Sequence, residues 1–131
     1  MGVEVFGNLK TNCRLEACLE KVRQGFKSGR KPTLAHEGTS GSYILKGPGD
    51  DSNELGVFKP IDEEPFAPNN PRGMQAPFGS ETCRPGVKSG ESTLREVYAY
   101  LLDHDGFAGV PLTTFVEVSH PALPNTPVYE S

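Results

Sequence analysis

Thr33-Leu34-Ala35-His36-Glu37-Gly38-Thr39-Ser40-Gly41-Ser42-Tyr43-Ile44-Leu45 holds two short extended runs, Thr33 to His36 and Ser42 to Leu45, parted by small and polar residues. That pattern predicts a strand, a tight glycine turn and a second strand. The run Gly47-Pro48-Gly49-Asp50-Asp51-Ser52-Asn53 is dense in turn formers and leads to a third strand, Leu55 to Lys59. Strict alternation puts Leu55, Val57 and Lys59 on one face of it and Gly56 and Phe58 on the other. Upstream, Leu15, Cys18, Leu19, Val22 and Phe26 recur at the spacing of one helical stripe, with Thr11 or Asn12 as a cap and Gly29 as a stop.

Beyond Lys59 the character changes. Six of the 12 prolines fall between Pro60 and Gly90, which predicts a long irregular segment. A second helix follows from Thr93 to Asp103, with Leu94, Val97, Tyr98, Leu101 and Leu102 on one face and Gly106 beyond its end. Phe115, Val116 and Val118 make Pro111 to Ser119 a strand, and the proline-rich run from Pro121 to Pro127 reads as loop. The expected fold is α+β: a twisted antiparallel sheet packed against the second helix, with the first helix leading in. The expected divisions are a helical segment over 1–32, a lobe over 33–120 holding the proline- and glycine-rich insertion at 60–90, and a loop over 121–131 leading to a further, C-terminal lobe.

Bulk properties narrow the function. The 131 residues suit one modest domain or a piece of a larger one. Hydrophobic residues make up 35%, and the mean hydropathy is -0.45. A net charge of -4 gives no general attraction to nucleic acid or to an anionic membrane. No apolar run approaches the roughly 20 residues of a membrane-spanning helix. Cys13, Cys18 and Cys83 are an odd set without C-x-x-C spacing, which points to reduced thiols in a cytoplasmic setting. Neither they nor the scattered His36, His104 and His120 stand at metal-ligand spacing.

The order of elements carries the chemistry: strand, glycine turn, strand, strand ending in lysine, then a helix containing glutamate. This is the layout of a kinase small lobe. Backbone N–H groups in such a turn bind nucleotide phosphates, because glycines let the chain approach closely. Gly38, Thr39, Ser40, Gly41 and Ser42 would form that turn, Val57 would meet the adenine, and Lys59 would neutralise phosphate charge. Alone, the same residues read more readily as an ordinary β-turn and a solvated strand-end lysine. Glu96 is the candidate partner of Lys59. With Thr93 three residues earlier it is also a capping-box candidate, and Glu63 or Glu64 are alternative partners for the lysine. Asp103-His104-Asp105-Gly106 has the look of a metal-binding D-x-G but stands where a helix should end.

Longer runs sharpen the reading. Gly38-Thr39-Ser40-Gly41-Ser42-Tyr43, Val57-Phe58-Lys59-Pro60 and Asp62-Glu63-Glu64-Pro65-Phe66-Ala67-Pro68-Asn69-Asn70-Pro71-Arg72-Gly73 resemble the type II phosphatidylinositol 4-kinases, above all the plant-type gamma subgroup. Arg95-Glu96-Val97, Tyr100-Leu101-Leu102-Asp103 and Val110-Pro111 continue the likeness, so it runs from about Gly38 to His120. The resemblance implies an ATP site at the turn and Lys59, with Lys59 and Glu96 as the catalytic pair. It places Glu64, Pro65 and Phe66 on the lipid-headgroup side. It also implies phosphatidylinositol at a membrane surface as substrate, magnesium held by a C-terminal lobe, and a peripheral membrane location. Animal members carry a cysteine cluster in the insertion, where this chain has only Cys83. Arg72, Arg84 and Lys88 are the candidate contacts to anionic lipid. On this reading the chain alone does not turn over. The alternatives are a protein Ser/Thr kinase of the same family and a non-catalytic binding module.

Overall fold

The computed structural model describes residues 2–5, 13–49 and 54–123. The proposed caps Thr11 and Asn12, the turn residues Asp50 to Asn53 and the tail from Pro124 onward lie outside the described residues. Among the described residues, five strands and two α-helices follow in the order β1 (Gly2–Val5), α1 (Cys13–Lys27), β2 (Thr33–Leu34), β3 (Tyr43–Lys46), β4 (Glu54–Phe58), α2 (Ser92–Leu102) and β5 (Val116–Ser119). Two antiparallel sheets result, β2-β3-β4 and the ribbon β1-β5. The strands flanking the glycine turn, the lysine-terminated strand and both helices therefore stand close to their expected places.

The first helix builds the core. Leu19, Val22 and Phe26 are buried along its expected stripe, joined by Val3 of β1 and Leu45 of β3. Leu15, Leu55, Phe58, Val116 and Val118 pack at the margin. A Cβ on Gly25 would run into the backbone oxygen of Lys46, so this glycine lets α1 lie directly against the end of β3. Arg23 Nε donates to Val3 O at 2.9 Å and ties the ribbon to the same helix.

The strand expected over Pro111 to Ser119 forms only over Val116–Ser119, and three further features depart from the sequence reading. The strand β1 was not expected. It pairs Val3 with Val118 and Val5 with Val116, so the valines of both strands face inward and Glu4 opposes Glu117 on the outside. In β4, Gly56 stands opposite Leu45 while Glu54 stands opposite Lys46, a register shift that leaves Leu55 as an extra residue. Leu55 thereby joins Phe58 on the core side, and Val57, 60% exposed, stays on the open face. Finally, the expected packing of the sheet against the second helix is corrected: α1 packs on β1, β3 and β4, and α2 makes no comparable contact. Of its apolar stripe only Val97 is buried, and Leu102 is 82% exposed.

The proline- and glycine-rich insertion lacks long regular elements but is closely hydrogen-bonded. A single 3-10 turn, Ile61–Glu63, opens it. Its far end folds back as a small hairpin, in which Thr82 N–H donates to Val87 O at 3.2 Å and the backbones of Glu81 and Lys88 pair as an isolated antiparallel β-bridge.

Candidate functional site

The glycine turn, the end of β4 and the start of α2 face one another across a cleft of about 330 Å3. Thr39, Ser40 and Ser42 line it from the turn, Lys59 and Pro60 from the strand end, and Ser92, Thr93 and Glu96 from the helix. The insertion closes the remaining side with Glu64, Pro65, Phe66, Met74, Thr82, Cys83, Arg84 and Val87. This volume sits at the small end of the roughly 300–1,000 Å3 range of ligand pockets.

Lys59 Nζ donates to Glu96 Oε1 at 2.8 Å, across a gap of 37 residues in sequence. Their side chains are 48% and 55% exposed. An ion pair so open to water contributes only about 0.2–1 kcal/mol to stability. Holding the fold together is therefore a poor account of the pair. It fixes one of the three N–H donors of the ammonium and leaves the others to the cleft.

The turn is held from beneath. Gly38 has a φ of 114°, and Gly41 N–H donates to Glu63 O at 2.9 Å. A Cβ on Gly41 would stand 2.7 Å from the Glu63 Cβ, so this close approach admits only glycine. Tyr43 Oη donates to Glu63 Oε1 at 2.6 Å, and both side chains are buried. Burial pushes the Tyr43 hydroxyl well above the usual tyrosine range, with the Glu63 carboxyl adding to the shift. Burial also raises the Glu63 carboxyl, although the hydrogen bond from Tyr43 pulls the other way.

Glu64 has a task the sequence reading missed. It is 4% exposed, and its carboxylate accepts from Gly90 N–H at 2.5 Å and from Thr93 N–H and Thr93 Oγ1 at 2.7 Å each. A carboxylate here satisfies the unpaired amides and the positive end of the α2 dipole. The capping box of Thr93 and Glu96 is thus replaced by a long-range cap, which frees Glu96 for Lys59. With its oxygens engaged, Glu64 is a poorer candidate for headgroup contact than its neighbours Pro65 and Phe66. Phe66 has a φ of 63°, an uncommon conformation for a bulky residue, held by its N–H donating to Met74 O at 2.8 Å.

Of the sequence-predicted residues, the structure brings together Thr39, Ser40, Ser42, Lys59, Glu64, Pro65, Phe66 and Glu96. Val57 shares the open face but does not line the cleft, and Gly38 and Gly41 shape the turn behind it. Arg72 is corrected from a lipid contact to an internal one, since its guanidinium binds backbone oxygens of the turn. Arg84, exposed at the cleft rim, remains available to a ligand. Asp103 accepts from Ala108 N–H at 2.7 Å and Val110 N–H at 2.9 Å, which closes the loop after α2. Among the described residues no His, Cys, Asp and Glu cluster could hold a metal ion, and no helix is long and apolar enough to cross a membrane.

Known proteins are similar to this sequence. Over 117 residues the chain is 44% identical to phosphatidylinositol 4-kinase gamma 4 of Arabidopsis thaliana, a match covering 80% of this chain and 20% of that protein. The chain is homologous to a segment of the plant phosphatidylinositol 4-kinase gamma proteins. Phosphatidylinositol 4-kinase gamma 4 of Oryza sativa subsp. japonica is 39% identical over 124 residues, 87% of this chain. Phosphatidylinositol 4-kinase gamma 8 of Arabidopsis thaliana is 37% identical over 119 residues, 90% of this chain. The chain spans about a fifth of the length of these gamma kinases. No protein-family profile and no solved structure matches it.

Proposed function

We propose that this chain is the ATP-binding part of a phosphatidylinositol 4-kinase, with the architecture of a kinase N-terminal lobe. In the longer protein the γ-phosphoryl group of ATP would pass to an inositol hydroxyl of phosphatidylinositol, with ADP leaving. The observation that carries the reading is the 2.8 Å pair of Lys59 and Glu96, set across a cleft from the glycine turn. Its lysine supplies a positioned positive charge for phosphate oxygens, and Glu96 keeps that charge from swinging into solvent. The hydroxyls of Thr39, Ser40 and Ser42 add donors on the opposite wall. These groups fit an anionic phosphate chain. They do not fit magnesium: Glu64 is taken by the helix start and Glu96 by Lys59. Pro65, Phe66 and Arg84 stand at the remaining side, where an inositol headgroup would enter.

Calorimetric titration of the chain with ATP tests this. Loss of a charged hydrogen bond costs about 1.5–3 kcal/mol, so Lys59→Ala should weaken ATP binding by roughly tenfold to a hundredfold. Glu96→Ala should weaken it less. Both variants should unfold within about 1 kcal/mol of the unsubstituted chain, because the pair is exposed. An unsubstituted chain that does not bind ATP, or a Lys59→Ala chain that binds it equally well, refutes the reading.

A further inference from the structure

Resting on that reading, we infer that Asn70 and Arg72 are positioning residues that hold the glycine turn in its phosphate-ready shape. Neither touches the cleft itself; both act through the backbone of the turn. Asn70 is 1% exposed, and its Nδ2 donates to Thr39 O at 2.7 Å, with Glu63 O and Glu64 O at 3.1 and 3.2 Å. Its Oδ1 accepts from Arg72 N–H at 2.9 Å and Met74 N–H at 3.1 Å, which orients the amide and presents Arg72. The Arg72 guanidinium then spans the turn, with Nε on Ser40 O at 3.0 Å and Nη2 on Ala35 O and Glu37 O at 2.6 and 3.3 Å. A lysine could not reproduce this, because one ammonium cannot meet carbonyls so spread as the planar fork does.

The turn needs such a hold. Glu37, Gly38 and Thr39 are exposed, and a Cβ at Gly38 would meet nothing within 4 Å, so apolar packing does not order this corner. The carbonyl and N–H of a trans peptide point in opposite directions. Fixing Thr39 O on Asn70 therefore turns the Ser40 N–H away from the strut, and fixing Glu37 O on Arg72 does the same for the Gly38 N–H. Those amides are the groups an anion would use. The same segment carries Glu64, which caps α2 and so places Glu96 against Lys59. Asp62 to Met74 thus ties both walls of the cleft together.

Amide hydrogen exchange and ATP titration of the chain, on Arg72→Ala and Arg72→Lys, test the inference. In Arg72→Ala, exchange at the Gly41 amide, the turn N–H that donates to Glu63 O, should rise by roughly tenfold or more, while α1 and β3 exchange as before. ATP affinity should fall by roughly tenfold, with Arg72→Lys restoring little of it. Unchanged exchange in the turn overturns the inference, as does a loosened turn with undiminished ATP affinity. An unsubstituted chain that fails to bind ATP overturns the proposed function instead, and exchange alone then decides whether Arg72 orders the turn.

Discussion

The buried carboxyl of Glu63 shows how one side chain can be read only with its neighbours in place. In sequence it is one of three candidate acids to pair with Lys59. In the structure it lies under Gly41, accepts the Tyr43 hydroxyl at 2.6 Å, and is 1% exposed. Tyr43→Phe keeps the ring and removes the donor, which leaves the carboxyl short of a partner inside the protein. That change should destabilise the chain by about 1–3 kcal/mol, read as a lower urea midpoint with an unchanged slope. A midpoint that does not move would mean water or another donor replaces the hydroxyl. The residues that were legible, Lys59, Glu96 and the small turn residues, announce themselves by type and spacing. Asn70, Arg72 and Glu64 act on backbone groups 26 to 37 positions away in sequence. Such contacts leave no local pattern, so spacing could not reveal them.

Periodicity located the two helices and the strands around the turn, because each buries a stripe or a face that recurs in the sequence. It failed where the signal was short or interrupted. Val3-Glu4-Val5 is only one alternation, and it becomes a strand because Val116-Glu117-Val118 offers the matching one. The extra residue at Leu55 moves that side chain to the core face, which alternation alone assigned to the face of Val57. The ribbon also contains a local conflict, since Glu4 and Glu117 are direct cross-strand partners and both are exposed. Like charges so placed repel, whereas opposite charges contribute about 0.2–1 kcal/mol. Glu117→Lys should therefore raise the thermal midpoint, and more so at low salt. A midpoint that falls, or a gain indifferent to salt, would show that the two carboxylates are not in contact range.

At the scale of the molecule, a single core among the described residues lies under α1 and joins the ribbon to the three-stranded sheet, while α2 hangs on hydrogen bonds at the cleft. The α2 stripe has the spacing of a packed helix, yet Leu94, Tyr98, Leu101 and Leu102 are exposed among the described residues. Spacing reports that a face is apolar and not what covers it, which is why the expected sheet-to-α2 packing failed. The single core also makes global stability depend on His120, 5% exposed, its ring 4.9 Å from that of Phe26 and its Nδ1 accepting Ala122 N–H at 3.0 Å. Burial, reinforced by positive charge that includes Lys31, lowers its pKa from the ordinary 6.5. The unfolded chain therefore takes up a proton near pH 6.5 that the folded chain refuses, so this residue stabilises the fold above that pH and loses its contribution as the pH falls. Glu63 acts in the opposite sense. Its raised pKa lets the folded chain keep a proton that the unfolded chain releases above about pH 4.5, so its contribution is full below that value and fades as the pH rises. Urea unfolding between pH 7 and pH 4 separates the two effects. His120→Asn keeps an acceptor for Ala122 N–H without a titrating ring, and it should flatten the decline just below pH 6.5. Glu63→Gln should leave that decline in place and alter only the acidic end, and an equally steep loss below pH 6.5 in His120→Asn would assign the slope to another group.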